Sequence, residues 1–285
     1  MKKRTSIRRR RSSMIHETMR IAQEGSLEYA RLTTYLWEDS PEIPIKKRTL
    51  VLICPGGGYH RTSDREAEAI ALKIMSMGHH AAVLRYSVAP ARFPVALKEV
   101  ASCVTLLRGK AKEWHIDENR IVVMGFSAGG HLAASYGVYW NSPMLSESAG
   151  SSLEDLRPNG LILGYPVITA EEPHRHEGSI RNLLGDNWQE KEFLEKVSLE
   201  NHVGSHIPRT FLWSTFEDKT VPAENSLVFV QALMKKKIPV EFHLYEKGGH
   251  GLSLASHITD NVAHTCYQKE CQNWINLVEA WLQNL

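Results

Sequence analysis

No apolar run in this 285-residue sequence approaches the length needed to cross a bilayer, so its reading contains no membrane-spanning helix. Cysteine is sparse. Cys54, Cys103, Cys266 and Cys271 form no CxxC pair and no closely spaced Cys/His pattern, which argues against a structural metal site and leads us to expect reduced thiols. There is no internal repeat, and nothing in the composition suggests a fibre, a collagen or a disordered protein. Acidic residues are missing from the start of the chain, where Lys2, Lys3, Arg4, Arg8, Arg9, Arg10 and Arg11 gather. The whole chain carries +2. Without those seven side chains, 27 basic residues face the same 32 acidic ones, a balance of −5.

Blocks of like charge repel and seldom fold, so residues 1–14 are read as a solvated, disordered basic head rather than as a tether for nucleic acid or a membrane surface. No apolar segment of signal-peptide length follows the arginines, since "SSMIHETMRIAQEG" is polar; the expectation is a cytoplasmic protein, with Met14 a candidate natural start. Self-association is left open.

From residue 50 onward, short β-branched runs alternate with longer helical patterns. "TLVLICPGG", "HHAAVLRYSV", "NRIVVMGF", "GLILGYPVI", "RTFLWST" and "VEFHLYE" read as strands. Between them "DREAEAIALKIMSMG", "PVALKEVASCVTLLRGKAKEW", the segment after Ser127 and "PAENSLVFVQALMKKK" read as helices, and a closing helix is predicted over about 261–284. "LEYARLTTYLWE" is predicted to give one or two antiparallel edge strands. This order implies right-handed crossovers and an α/β fold: a three-layer α/β/α sandwich around a mostly parallel sheet of about eight strands. Residues 15–285 are read as one domain. The stretch 169–208 is too long for an ordinary connection and is expected to form a small helical cap or a surface excursion.

Gly125-Phe126-Ser127-Ala128-Gly129 fits G-x-S-x-G, and it sits between a predicted strand and a predicted helix, the context that gives the motif meaning. So sharp a turn crowds positions 125 and 129, which explains glycine at both. It would hold Ser127 at the carboxyl end of the sheet with the Ala128 amide facing a reacting oxygen. A serine hydroxyl is a poor nucleophile until a base takes its proton, so the motif calls for a histidine and an orienting carboxylate downstream. Asp218 follows the strand "RTFLWST", and His250 follows "VEFHLYE" on a glycine-flanked loop. Glu217 competes with Asp218, but neighbours on an extended segment point oppositely and one alone should face the imidazole. His131, on the helix behind the serine, is read as structural.

Acyl transfer also needs donors for an oxyanion. The glycines of "CPGGGYH" let bare backbone approach a ligand, so the amides of Gly57 and Gly58 are the candidates to join Ala128. The run lacks both the lysine of a P-loop and the GxGxxG fingerprint. Tyr59, Tyr165 and Trp188 are candidate substrate-binding residues, with Trp140 and Trp213 further aromatics that either line a sugar-binding mouth or pack internally. No metal and no cofactor is expected.

With these residues in hand, the chain from about residue 49 to 285 resembles the α/β-hydrolase superfamily, and within it the bacterial esterases related to acetyl-xylan and feruloyl esterases, near the hormone-sensitive-lipase-like group. "PGGGY" is similar to that group's HGGG motif with Pro55 in place of His, and "RYSVAPARFPVAL" to its Y-R-x-A-P…F-P-A segment with Ser87 in place of arginine. "GFSAGGHLAA", "FLWSTFEDKTVPAENSLVFVQAL" and "GGHGLSLA" match closely. The resemblance implies that Ser127, Asp218 and His250 are nucleophile, acid and base. It also implies hydrolysis of short acyl esters, often acetyl groups on sugars, with a small-molecule ester as partner and no nucleic acid or membrane. An amidase or peptidase with the same triad and a non-catalytic binding protein on this fold are the alternatives. Glycosidase chemistry fits poorly, because it needs two opposed carboxylates.

Overall fold

The structure, a computed structural model, describes residues 14–285. The expected basic head falls outside these residues except for Met14, which lies in the first strand instead. Among the described residues nine strands form one sheet: β1 (Met14–Ile15), β2 (Thr18–Arg20), β3 (Arg31–Trp37), β4 (Arg48–Cys54), β5 (His80–Arg85), β6 (Ile116–Phe126), β7 (Gly160–Gly164), β8 (Thr210–Thr215) and β9 (Val240–Tyr245). The α-helices are α1 (Glu68–Ser76), α2 (Val95–Gly109), α3 (Ala128–Tyr139), α4 (Pro143–Ala149), α5 (Leu153–Leu156), α6 (Glu177–Leu184), α7 (Lys191–Val197), α8 (Glu224–Lys235) and α9 (Trp274–Gln283).

The strand order is β1-β3-β5-β4-β6-β7-β8-β9, with β2 also paired to β3. From β5 to β9 every pairing is parallel, whereas β3 runs antiparallel to β5 and to both β1 and β2. The expected edge strand at β3 is therefore an inner one. Its outer side is covered by β1 and β2, which together span five residues, too few for an alternating pattern to register in a polar stretch.

Burial on both faces explains the near-continuous apolar strands. All seven residues of β4 are buried. Leu50, Leu52 and Cys54 enter the core beneath α2, α3 and α8, and Val51 and Ile53 enter the core beneath α1 and α9. Each aliphatic side chain so placed contributes about 2 kcal/mol of transfer free energy. The helices thus form one layer on each side, as the strand–helix alternation implies.

Two helical expectations shift. The closing helix is shorter than predicted: residues before Trp274 run in turns and a single 3-10 turn. There the side chains of Asp260 and Asn261 accept from the amides of Cys266 and Thr265, a local alternative that competes with helical hydrogen bonding. Between β7 and β8, α6 and α7 with two 3-10 turns occupy the long connection. All four cysteines are free and buried, and no described helix is long and apolar enough to cross a membrane.

Candidate active site

β6 ends at Phe126 and α3 begins at Ala128, leaving Ser127 alone at the bend with φ 53° and ψ −120°. A non-glycine residue at positive φ is strained, and that strain is held by its surroundings. A Cβ at Gly125 would lie 2.0 Å from the carbonyl oxygen of Gly129, and one at Gly129 would lie 2.1 Å from that of Cys54. The crowding expected at these two positions is thus between side chain and backbone. The Ser127 amide donates to Gly164 at 3.0 Å, and its carbonyl accepts from His131 and Val167, so the bend is fixed on both sides.

Three side chains from distant parts of the chain meet at this bend. Ser127 Oγ lies 2.7 Å from His250 Nε2, and His250 Nδ1 lies 2.6 Å from Asp218 Oδ2. The second carboxylate oxygen, Oδ1, accepts from the amides of Thr220 at 2.9 Å and Val221 at 3.0 Å. With its side chain fully buried and its acceptor sites so used, Asp218 is locked in one rotamer. Because the carboxylate accepts, Nδ1–H donates and Nε2 is left as an acceptor for the serine proton. Glu217 turns the other way, its carboxylate accepting from the Gly248 amide at 3.1 Å.

Behind His250 stands a column of aromatic rings. Tyr165 meets the imidazole edge-on at 5.1 Å and meets Trp213 edge-on at 5.0 Å, and Trp213 stacks on Trp274 at 5.0 Å. The Tyr165 hydroxyl donates to Glu66 Oε1 at 2.6 Å and accepts from the Ser253 amide at 2.8 Å. Burial, and then the neighbouring Glu66, raise its pKa well above the ordinary phenol value, so it remains a donor. Tyr165 supports the base from behind.

Glu66 joins that column to the glycine loop, since its other oxygen accepts from the Gly56 amide at 2.9 Å. Gly57 follows at φ +130°, where a Cβ would lie 2.2 Å from the carbonyl oxygen of Arg61. Gly57 and Gly58 line the same pocket as Ser127 and His250. Among the described residues the amides of Gly57, Gly58 and Ala128 have no protein acceptor, which leaves them available to a ligand oxygen. The loop is tied down from above by Asn182 of α6, whose amide donates to the Gly58 carbonyl at 2.8 Å.

The pocket has a volume of about 280 Å³. Besides the residues already named it is bounded by Arg61, Ser63, Arg65, His176, Thr220 and Gly251, so its wall carries no aliphatic side chain and no Phe, Tyr or Trp. The aromatic candidates lie elsewhere. Tyr59 is buried with its hydroxyl on His131 Nδ1 at 2.9 Å, and Tyr165 is buried as described, so neither presents a face to the pocket. Trp188 is half-buried under guanidinium groups, with Arg181 at 4.1 Å and Arg175 at 5.4 Å from the ring centre. Trp140 and Trp213 are core residues.

His131 is structural, as read from the sequence: Nε2 bonds the Val197 carbonyl at 2.9 Å, and burial pulls its pKa down to about 4. Glu66, His176 and Asn182 were not foreseen, because no motif or spacing marks them. Only the ordering of the loop and of α6 brings them to the site. Among the described residues no group of three or more His, Cys, Asp or Glu is arranged to hold a metal ion.

The chain and the sheet that carry this arrangement find counterparts among known proteins. The BD-FAE family profile matches residues 40–233. The chain belongs to the BD-FAE family. A xylanase-named relative, endo-1,4-beta-xylanase B of Butyrivibrio fibrisolvens, is 38% identical over 74% of this chain and 33% of its own length. An acetylxylan esterase of Xylanibacter ruminicola is 27% identical over 92% of this chain and 51% of its own length. The chain therefore spans between a third and about half of the length of these two relatives.

Solved structures match over most of their length. An acetyl ester-xyloside bifunctional hydrolase from Caldicellulosiruptor lactoaceticus superposes with a TM-score of 0.78 at 36% identity, covering 90% of this chain and 88% of that one. The carboxylesterase Cest-2923 from Lactobacillus plantarum superposes at 0.81 with 28% identity, covering 95% and 97%. The α/β-hydrolase fold of this BD-FAE chain is that of its neighbours.

Proposed function

We propose that this protein is a serine esterase that removes short acyl groups, of the acetyl type, from hydroxyl-rich alcohols such as sugars or xylo-oligosaccharides. The reading is carried by one observation: Ser127 Oγ, His250 and Asp218 stand in a continuous hydrogen-bonded line, 2.7 Å and 2.6 Å long at its two links, beside amides without protein acceptors. In the reaction Ser127 Oγ attacks the ester carbonyl carbon as its proton passes to His250 Nε2. Asp218 holds the imidazole and stabilises the imidazolium. The amides of Gly57, Gly58 and Ala128 receive the carbonyl oxygen as it becomes negative. His250 then gives its proton to the departing alkoxide, leaving an acyl-serine. A water attacks that ester with His250 again as base, releasing the acid and restoring the serine.

Two further observations support the substrate class. The pocket offers no hydrocarbon wall for a long acyl chain, and the names of the relatives include acetylxylan esterase and acetyl ester-xyloside hydrolase. Xylanase chemistry finds no support at this site, where a serine triad stands in place of two opposed carboxylates. The test is labelling by a fluorophosphonate probe together with turnover of p-nitrophenyl acetate and of its matched anilide. Labelling at Ser127 with the ester cleaved much faster is expected. Faster cleavage of the anilide would move the protein to the amidases, and absence of both labelling and turnover would leave a binding protein.

A further inference from the structure

One donor on the pocket wall is not used by the chemistry just described. His176 precedes α6 and acts as its N-cap: its Nδ1 accepts from the Ser179 amide at 3.2 Å and lies 2.7 Å from Ser179 Oγ. A ring nitrogen that accepts an amide proton carries a lone pair, so the proton of the neutral ring sits on Nε2. Burial first, and the nearby His250 second, push the His176 pKa below the ordinary imidazole value, which keeps the ring neutral. Among the described residues Nε2 has no protein partner, while the ring lines the pocket with Ser127, Thr220 and His250. A donor of fixed orientation thus stands on the wall of the pocket that holds Ser127.

The surroundings indicate what that donor meets. The glycine amides lie along the side of the pocket expected to take the acyl oxygen. His176 caps the start of α6, whose Asn182 donates to the Gly58 carbonyl, and Thr220 borders the same pocket. A simple alkyl alcohol has nothing to accept a proton there and would leave the N–H to solvent. A hydroxyl on the carbon next to the ester would satisfy it.

We infer that His176 selects the alcohol of the substrate, donating from Nε2 to a hydroxyl oxygen beside the ester, so that vicinal diol monoesters of the sugar type are preferred over esters of alkyl alcohols. The inference rests on the esterase reading. It assigns His176 to substrate binding, with no proton transferred and no bond made or broken at its ring.

The test compares a monoacetylated methyl xyloside with cyclohexyl acetate, a six-membered ring ester that lacks the neighbouring hydroxyls. His176→Asn retains a good helix cap and removes the ring donor. In that variant the ratio of kcat/KM for the xyloside to that for cyclohexyl acetate should fall about tenfold from the wild-type ratio, the size of one hydrogen bond. His176→Gln, which carries a donor on a longer arm, should recover part of the ratio and serves if the Asn variant does not fold. Equal losses on the two esters, or an unchanged ratio in both variants, would overturn the inference. So would a wild type that cleaves cyclohexyl acetate as readily as the xyloside. A wild type inactive on both esters and on p-nitrophenyl acetate would instead remove the esterase reading, and this inference with it.

Discussion

The two ends of the parallel sheet present two cavities of opposite character. At the amino end, beneath the starts of β4, β6 and β7, lies a cleft of about 800 Å³ bordered by Lys47, Arg108, Lys112, Glu118, Glu154 and Arg157. Its charges are largely spent on one another and on backbone: Lys47 pairs with Glu118, Arg157 with Glu154, and the Arg108 guanidinium donates to the carbonyls of Glu118, Asp155 and Arg157. The carboxyl-end pocket is about a third as large, yet there, among the described residues, the amides of Gly57, Gly58 and Ala128 and the His176 Nε2 have no protein partner beside the hydrogen-bonded line of Ser127, His250 and Asp218. Volume does not identify a site. Unsatisfied groups converging on one point do, and in open α/β sheets the carboxyl ends of the strands are where loops can bring them together.

The widest gap between the two ends should appear in Ser127→Ala against Lys47→Ala. The first should lower kcat/KM for p-nitrophenyl acetate by about 10⁴-fold or more, leaving only what the amides and binding supply. The second removes one partner of an exposed ion pair and should leave the rate within about twofold. Steady-state kinetics on the two variants would check this, and comparable losses would erase the distinction between the ends.

The next effect is on stability. Trp274 is fully buried and carries the lower end of the aromatic column behind His250. Trp274→Ala should cost about 3–5 kcal/mol in urea unfolding. The carboxyl end should also lose activity before it unfolds, because the column that backs the imidazole has lost its base. A variant with a normal urea midpoint would mean that the column is not a support.

The smallest effect concerns acid. His131 lies beneath the glycine loop with a pKa of about 4 in the folded chain against 6.5 when free. Above pH 6.5 both states are neutral there and stability is unaffected. As the pH falls from 6.5 toward 4 the unfolded chain takes up a proton that the folded chain refuses, so stability is lost across that window. Between pH 7.5 and 5 this group should account for about 2 kcal/mol. His79 and His80, also held to about 4 by burial, act in the same direction from the other end of the sheet. His131→Gln should show a smaller fall in urea midpoint over the same range than the wild type.

Much of this candidate site could be read from the chain because each residue of the proposed triad follows a strand. Ser127, Asp218 and His250 sit at the ends of β6, β8 and β9, and strand endings are marked by glycine, aspartate and loss of apolar alternation. Glu66 has no such marker. Its role comes from the position of a short 3-10 turn that carries it back beneath Gly56, a tertiary fact. Tyr59 and Tyr165 misled for a related reason: residue type says that a ring can stack on a sugar, while burial and hydroxyl partners decide whether it faces solvent. The closing helix was overextended because Asp260 and Asn261 bond locally to backbone amides, a competition invisible to helical periodicity. The strands at Met14–Arg20 escaped because two- and three-residue elements have no period to detect.

The backbone contact at Gly125 and Gly129 divides the molecule into a part that tolerates redesign and a part that does not. Around the mouth, Arg61, His176 and Thr220 border the pocket and are not among the atoms that crowd Gly125 and Gly129. At Gly125 and Gly129 nothing bulkier than a hydrogen atom fits, so new specificities on this scaffold must be written into the rim while the pivot under the serine is inherited unchanged.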